Sequence, residues 1–236
     1  MSINPNYNLL VVSTSTIYGS EFLAYIKEEF VNFIATDELL FVPYARPSGI
    51  SFDAYTAKVQ DALGDRNIKV TGLHEYQNKK KAIQEAKAIF IGGGNTFLLL
   101  KTLYDLDLMH QMRVQVGKGV PYVGTSAGSN LTGLTIGTTN DMPIVYPSSF
   151  ETFGFLPFNI NPHYLDPDLH STHKGETRET RIQEFHQFNA QPVIGLREGS
   201  WLKVSQGAVK LEGTLTARLF KPDREATELD PGLINF

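Results

Sequence analysis

The chain has 236 residues, 42% of them apolar, which is enough for one large domain with a full core. Its formal charge of −4 and pI near 5.9 argue against nucleic acid or an anionic membrane surface as a partner. The chain contains no cysteine, which excludes disulfides, thiolate catalysis and Cys-type zinc sites. With neither a signal-peptide pattern nor an apolar run of transmembrane length, we expect a soluble, cytoplasmic protein.

Short apolar runs alternate with helical patterns through the first 125 or so residues. The apolar runs predict five strands, at residues 8–14, 38–45, 68–73, 88–91 and 120–123. Helical spacing predicts five helices, near residues 20–35 (with Ser20 as N-cap), 51–64, 78–87, 95–106 and 108–118. Continuous apolar strands between helices are typical of a mostly parallel sheet covered on both faces. We therefore predict an α/β fold whose strand ends form one crevice.

After residue 130 the chain is rich in Gly, Thr, Pro and Asn. A strand-like run at residues 159–165 and a helix from Lys174 to about residue 189 are predicted there. A strand at residues 193–196 and an antiparallel set at 201–204, 208–211 and 214–220 are predicted to follow. No repeat or linker separates these parts, so we predict one domain over residues 1–236.

Residues 122–129, Tyr-Val-Gly-Thr-Ser-Ala-Gly-Ser, carry the pattern Gly-x-Ser-x-Gly between an apolar strand and a helix. This pattern is typical of a nucleophile elbow, a strained turn that exposes its serine, here Ser126. Gly124 and Gly128 would let the strand and helix backbones pack closely, and N–H groups at the helix start could stabilise an oxyanion. The alternative is a Gly/Ser-rich turn without chemistry.

Three glycines, Gly92 to Gly94, follow the fourth predicted strand and precede a helix that Asn95 can cap. Such a turn can present N–H groups as a phosphate cradle or as an oxyanion hole. The pattern matches neither the dinucleotide nor the Walker fingerprint. With an elbow on the next strand, we favour an oxyanion hole whose donors are the Gly94 region and the N–H of Ala127.

A serine nucleophile needs a base, and the base needs a carboxylate to orient it. The chain has six histidines: His74, His110, His163, His170, His173 and His186. His163 is the favoured base, because a strand-like run and a proline lead into it after the elbow. His110 and His186 lie inside predicted helices, and His74 ends a strand in the first half of the chain without further support.

Two carboxylates compete for the orienting position, Asp141 between elbow and base and Glu198 after the base. Triad order differs between unrelated folds, so the sequence leaves both open, and either could instead bind a substrate amine or lie in solvent.

Residues 170–181 concentrate five basic or potentially basic side chains. An arginine there could grip a carboxylate, whereas the alternative is a solvated helix start capped by Thr177.

Together these motifs resemble peptidase E, the α-aspartyl dipeptidases of serine peptidase family S51. The matching segments follow one another through most of the chain, at residues 92–96, 124–128, 138–144, 161–164, 173–178 and 195–199. The resemblance implies a three-layer α/β sandwich of the class I glutamine amidotransferase type. Its central sheet would be mostly parallel, with additional antiparallel strands near the C-terminus.

The resemblance also implies an activity, the hydrolysis of dipeptides with N-terminal aspartate through an acyl-enzyme on Ser126. His163 would be the base, Asp141 or Glu198 the third member, and Arg178 the ligand of the aspartyl side chain. It implies no metal and no cofactor, and a small Asp-Xaa peptide as partner, without nucleic acid or membrane; a homodimer is compatible with it. The alternatives are a cyanophycinase-like enzyme that cuts β-aspartyl-arginine links and a non-catalytic module that binds a small ligand at the triple glycine.

Overall fold

The computed structural model describes residues 3–168, 170, 172 and 174–234. Within these residues the strands are β1 (Leu9–Val12), β2 (Glu38–Val42), β3 (Lys69–Gly72), β4 (Ile89–Ile91), β5 (Tyr122–Thr125), β6 (Asn159–Pro162), β7 (Val193–Leu196), β8 (Ser200–Ser205), β9 (Ala208–Gly213), β10 (Ala217–Phe220), β11 (Thr227–Leu229) and β12 (Gly232–Leu233). The α-helices are α1 (Lys27–Ile34), α2 (Phe52–Leu63), α3 (Lys79–Glu85), α4 (Thr96–Asp105), α5 (Met109–Gly117), α6 (Ala127–Asn130) and α7 (Arg178–His186). The strands and helices predicted for the first 125 residues are all present, most of them with bounds one to three residues shorter.

The main sheet has eight strands in the order β12-β9-β8-β1-β5-β4-β2-β3. The five strands from β1 to β3 in this order are mutually parallel, and β8, β9 and β12 add an antiparallel edge. The parallel strands are almost continuously apolar because helices cover both faces of the sheet. This confirms the predicted α/β sandwich with a mostly parallel central sheet.

Two hydrophobic cores lie on opposite faces of the main sheet. One contains side chains of α3, α4 and α5, and the other contains side chains of α1 and α2. Strand β1 contributes to both, because successive side chains of a strand point to opposite faces. Leu9 and Val11 lie in the first core, and Leu10 and Val12 lie in the second. The carboxyl ends of the parallel strands therefore open between two layers of helices.

A second sheet has four strands in the order β11-β10-β7-β6, with β6 parallel to β7. The pattern at residues 214–220 predicts a third member for the β8–β9 hairpin, and this pairing is wrong. The chain turns away at Gly213, whose φ of +102° favours glycine, and β10 pairs antiparallel with β7. This pairing buries Ala217 and Leu219 in the core that already contains Leu196. The same pairing holds β7 in place, and β7 is the strand that leads to Glu198.

The first helix begins later than predicted. Helix α1 starts at Lys27, after a 3-10 turn at Ala24–Ile26, and Ser20 is not its N-cap. Leu23 adopts a left-handed φ of 60°, and its N–H donates to the carbonyl oxygen of Ser15 at 2.7 Å. The side chain of Leu23 is thereby completely buried, and the left-handed residue prevents the helix from extending back to residue 20.

The helix predicted from Lys174 to about residue 189 is also shorter, because α7 spans Arg178–His186. Thr177 has an extended backbone, and its hydroxyl accepts a hydrogen bond from the N–H of Thr180 at 3.1 Å. Thr177 is thus the N-cap that marks where this helix begins. None of the helices in the described ranges has the length and apolar character needed to cross a membrane.

Candidate active site

The Gly-x-Ser-x-Gly segment forms a sharp turn between β5 and α6. Ser126 has φ 53° and ψ −107°, a strained conformation for a residue with a side chain. The turn is held by close packing: a Cβ atom on Gly124 would lie 2.6 Å from the carbonyl carbon of Gly128. One on Gly128 would lie 2.2 Å from the carbonyl oxygen of Ile91. The hydroxyl of Ser126 consequently stands at the carboxyl edge of the sheet, half-buried.

A hydroxyl, an imidazole and a carboxylate form a continuous hydrogen-bonded line at this edge. Nε2 of His163 lies 2.9 Å from Oγ of Ser126, although the two residues are 37 positions apart. Nδ1 of His163 lies 2.6 Å from Oε1 of Glu198, and the two side chains are 36% and 44% exposed. With the proton on Nδ1 donated to Glu198, the free Nε2 can accept the proton of the serine.

His163 and Glu198 are brought together by the second sheet. They follow β6 and β7, which run parallel with Pro162 opposite Leu196, so both loops leave the sheet at the same end. The backbone of His163 is left-handed, with φ 53°, and its N–H donates to the hydroxyl of Ser13 at 2.9 Å. The same hydroxyl donates to the carbonyl oxygen of Leu196 at 2.7 Å. Ser13, which follows β1, therefore joins the main sheet to both loops.

Asp141 lies at the N-terminus of α4 rather than beside the imidazole. Its Oδ2 accepts hydrogen bonds from the N–H and the hydroxyl of Thr96, at 2.7 and 2.6 Å. The adjacent side chain of Asn140 donates to the carbonyl oxygen of Pro162 at 2.7 Å, directly before His163. A carboxylate at a helix N-terminus is favourable because it faces the unpaired N–H groups and the positive end of the helix dipole.

The triple-glycine turn lies next to the elbow. A Cβ atom on Gly93 would lie 3.2 Å from Cβ of Ser126, and Gly94 has a φ of +146° that favours glycine. Asn95 then caps α4, accepting a hydrogen bond from the N–H of Leu98 at 3.0 Å. The N–H groups of Gly94 and Ala127 form no hydrogen bond with any residue that the structure describes. Two backbone donors therefore flank Ser126 without an internal acceptor.

Arg178, the first residue of α7, is half-buried and forms no ion pair within the described residues. Burial and the neighbouring Arg181 lower its pKa, while the negative charge of Asp141 opposes that shift. Arg178 and Arg181 both line a cavity of about 370 Å³. A guanidinium remains charged in any protein environment, and because Asp166, Asp168 and Glu176 line the same cavity, its wall carries charges of both signs.

The other histidines that the structure describes form no hydrogen bond with Ser126. His74 pairs with Asp53 at 2.8 Å, His110 belongs to α5, and His186 ends α7. His170 is exposed, and His173 lies outside the described residues. Among the residues that the structure describes, no group of three or more histidine and acidic side chains is arranged to hold a metal ion.

Two residues to which the sequence assigned no role, Ser13 and Thr96, form hydrogen bonds with His163 and Asp141 in the structure. Ser13 begins a polar run directly after an apolar strand, in Ser-Thr-Ser-Thr at residues 13–16. Because ligands of α/β sheets bind at the carboxyl ends of strands, this position is the signal that could have pointed to Ser13. Thr96 directly follows the helix cap and ends the matching segment 92–96, and its place in that segment is the signal that could have pointed to it.

The sequence is similar to known peptidases over nearly its whole length. The family model described as peptidase family S51 matches residues 9–212. A protein of Streptomyces coelicolor named "Peptidase E" is 49% identical over 226 residues, which cover 95% of this chain and 92% of the relative. A protein of Drosophila melanogaster named "Probable alpha-aspartyl dipeptidase" is 46% identical over 228 residues, which cover 95% of this chain and 94% of the relative.

Solved structures share the fold at much lower identity. A peptidase from an acI-B1 actinobacterium superposes with a TM-score of 0.73 at 17% identity, covering 100% of this chain and 98% of its own. A protein from Listeria monocytogenes superposes with a TM-score of 0.68 at 18% identity, covering 89% of this chain and 99% of its own. At such low sequence identity, these two structural similarities show a shared fold only.

Proposed function

Because the chain belongs to peptidase family S51, we propose that it is a serine dipeptidase that releases N-terminal aspartate from Asp-Xaa dipeptides at Ser126. The contact that carries the proposal is the 2.9 Å approach of His163 Nε2 to Ser126 Oγ. The names of the relatives supply the substrate class, since they describe peptidase E and an α-aspartyl dipeptidase.

The first half of the proposed reaction is acyl transfer to the enzyme. His163 Nε2 removes the proton of Ser126 as Oγ attacks the carbonyl carbon of the scissile peptide bond. The carbonyl oxygen becomes an oxyanion, which the N–H groups of Gly94 and Ala127 would stabilise. Each such donor lowers the barrier by about 3–4 kcal/mol. The C–N bond then breaks, His163 returns its proton to the leaving amine, and an aspartyl ester remains on Ser126.

In the second half of the proposed reaction, water replaces the serine hydroxyl as the attacking group. His163 removes a proton from a water molecule, the hydroxide attacks the ester carbonyl, and the same two N–H groups receive the oxyanion. When the C–Oγ bond breaks, His163 protonates Ser126 and free aspartate leaves. The backbone strain at Ser126 favours this chemistry because it keeps Oγ exposed in both halves.

Glu198 is our choice for the residue that orients His163. Its Oε1 lies 2.6 Å from Nδ1, within reach to hold the ring in the productive tautomer and to stabilise the imidazolium. Asp141 is occupied differently, since its Oδ2 binds the N–H and the hydroxyl of Thr96. We propose that Asp141 fixes the start of α4, and with it the triple-glycine turn that precedes this helix.

Arg178 is the proposed ligand of the aspartyl side chain. It is half-buried without an internal ion pair among the described residues, so a substrate carboxylate would give its guanidinium a charged partner. A planar guanidinium binds a carboxylate through two parallel hydrogen bonds. A neutral side chain at the same place would leave the arginine unpaired, which is a strong basis for discrimination.

A dipeptide panel tests the proposal. Wild-type enzyme should hydrolyse Asp-Leu, should be far slower on Asn-Leu and Ala-Leu, and should leave β-Asp-Arg intact. Ser126→Ala should abolish turnover while binding of Asp-Leu persists in calorimetry. Turnover of β-Asp-Arg in preference to Asp-Leu would instead favour the cyanophycinase-like activity, and full activity of Ser126→Ala would contradict the assigned nucleophile.

Two further measurements separate catalysis from ligand binding alone. A fluorophosphonate should label wild-type enzyme at Ser126 and fail to label the His163→Gln variant, because labelling requires an activated hydroxyl. Thermal unfolding in the presence of nucleotides should show no stabilisation. An unlabelled Ser126 together with a nucleotide-dependent rise in the melting temperature would favour a phosphate-binding module at the triple glycine.

A further inference from the structure

Arg46 lies beside the proposed catalytic centre, in the loop that follows β2. It comes directly after Ala45, whose carbonyl oxygen accepts a hydrogen bond from the N–H of Asn95 at 2.7 Å. The same carbonyl packs against the triple-glycine turn, since a Cβ atom on Gly94 would lie 2.2 Å from it. Arg46 is thus one residue away from a direct contact with the turn that flanks Ser126.

The guanidinium of Arg46 is held by an aromatic ring and not by an acid. Its central carbon lies 5.1 Å from the centre of the Tyr55 ring, and Arg46 forms no ion pair within the described residues. Tyr55 itself is only 1% exposed, and its hydroxyl donates to the carbonyl oxygen of Gly93 at 3.2 Å. The guanidinium lies over the ring and also interacts with the Tyr55 hydroxyl, which leaves most of its N–H groups without an acidic partner among the described residues.

The surroundings of Arg46 and Arg178 belong to opposite faces of the main sheet. Tyr55, under Arg46, belongs to the core that contains α1 and α2. Arg178 lies within range of the charge of Asp141, which binds the start of α4 on the other face of the sheet. A substrate with one end at Arg178 and its carbonyl at Ser126 would therefore extend its other end toward Arg46.

We propose that Arg46 binds the α-carboxylate of the second residue of the dipeptide, which is the end that leaves first. This inference rests on the proposed function and adds a second carboxylate subsite to it. In the tetrahedral intermediate the acyl group and the leaving amine occupy different directions around one carbon, so two separated cations can each bind one end. A free carboxylate one residue after the scissile bond distinguishes a dipeptide from a longer peptide, so Arg46 would restrict the enzyme to dipeptides.

The test compares Asp-Leu with Asp-Leu-amide, in which a neutral amide replaces the terminal carboxylate. Wild-type kcat/KM should favour the free acid by about tenfold, the size expected for a partly exposed charge-assisted hydrogen-bonded pair. Arg46→Gln should lower kcat/KM for the acid and bring the acid-to-amide ratio close to one. Arg46→Lys should retain part of the preference, because it keeps the charge but loses the planar fork.

Arg66→Gln is the matched control, since Arg66 is an exposed arginine that pairs with Glu28 in another part of the surface. It should leave the acid-to-amide ratio at the wild-type value, which excludes a general effect of net charge. Equal wild-type activity on acid and amide, or an Arg46→Gln variant that loses activity on both equally, would overturn the subsite. If wild-type enzyme cleaves neither substrate, the proposed function itself is overturned, and the subsite with it.

Discussion

The hydroxyl of Ser13 accepts a hydrogen bond from the backbone N–H of His163 at 2.9 Å, across 150 residues of sequence. Ser13 is completely buried, and its hydroxyl in turn donates to the carbonyl oxygen of Leu196. His163 has a left-handed backbone, which costs free energy and must be held by its surroundings. Ser13 therefore acts as a positioning residue for the imidazole that faces Ser126.

We expect Ser13→Ala to lower kcat by about ten- to hundredfold, because a small displacement of the base from the nucleophile is costly. KM should change little, since Ser13 is completely buried and is not expected to contact the substrate. The variant should also lose about 1–3 kcal/mol of unfolding free energy from its unpaired backbone groups. Steady-state kinetics and denaturant unfolding measure the two effects.

Thr152→Val is the control for Ser13→Ala, because it removes a buried hydroxyl that donates to Gly133 at 2.6 Å, away from the catalytic line. It should reproduce the loss of stability and keep the wild-type kcat. If both variants keep kcat, Ser13 has a structural role only and does not position His163.

Glu198→Gln and Asp141→Asn should have different kinetic effects. Glu198→Gln should lower kcat by about 10³-fold, because an amide cannot stabilise the imidazolium or enforce the productive tautomer. Asp141→Asn should keep most of kcat and lose about 1 kcal/mol of unfolding free energy, the usual contribution of an acid at a helix N-terminus. The Asp-Leu assay and thermal unfolding report these two quantities. The reverse pattern, with kcat lost only in Asp141→Asn, would assign the third position to Asp141.

Local features of the sequence predict much of the fold and point to Ser126 as the proposed nucleophile. The strands from β1 to β5 are continuous apolar runs, and the elbow needs only the glycines around Ser126 to be recognised. In such elements each residue's conformation depends mainly on its neighbours in the chain. The N-caps of α2 and α4, Ser51 and Asn95, likewise depend on residues close to them in the chain, since each accepts a hydrogen bond from the backbone N–H three residues later.

Contacts between segments that are distant in the chain could not be predicted from the sequence patterns. The choice between Asp141 and Glu198 depends on the pairing of β6 with β7, which places Glu198 beside His163. The departure of β10 to the second sheet also depends on which buried surface is available, because its apolar pattern suits either sheet. Residue types and spacing are compatible with both arrangements, and only tertiary packing selects one.

Stability at low pH should depend on Arg197, the residue before Glu198. Arg197 is only 15% exposed and binds Asp166 through two hydrogen bonds of 2.8 and 2.7 Å, as well as Glu228. Hydrogen bonds from Arg197 lower the pKa of both acids below their ordinary values of 3.8 and 4.5. Their contribution is therefore fully present above those ordinary values and is lost as the pH falls through the lower values of the folded protein.

Denaturant unfolding of wild type and Arg197→Gln between pH 7 and pH 3, a range set by these ordinary acid pKa values, measures that contribution. The variant should be less stable at neutral pH, and the difference should shrink as Asp166 and Glu228 become protonated. Lys101→Gln, which removes an exposed pair with Asp105, should show only a small and nearly pH-independent difference. A wild-type advantage that stays constant down to pH 3 would contradict the role given to Arg197.

Gly94 should tolerate no side chain. Its φ of +146° is unfavourable for any other residue, and a Cβ atom would lie 2.2 Å from the carbonyl oxygen of Ala45. Gly94→Ala must therefore move the turn, and with it the N–H of residue 94, which is the proposed oxyanion donor. We expect kcat to fall by about 10²-fold or more, because the proposed oxyanion donor is displaced, and stability to fall by about 2 kcal/mol from strain.

Gly117→Ala is the matched comparison for Gly94→Ala, because Gly117 ends α5 without a positive φ and a Cβ atom there would meet no other atom within 4 Å. It should raise the unfolding free energy by about 0.5–1 kcal/mol, since alanine has less backbone freedom to lose on folding, and should leave kcat unchanged. Steady-state kinetics and thermal unfolding of the two variants separate geometry at the turn from the general effect of replacing glycine. A Gly94→Ala enzyme with wild-type kcat would show that the oxyanion is stabilised without the N–H of residue 94.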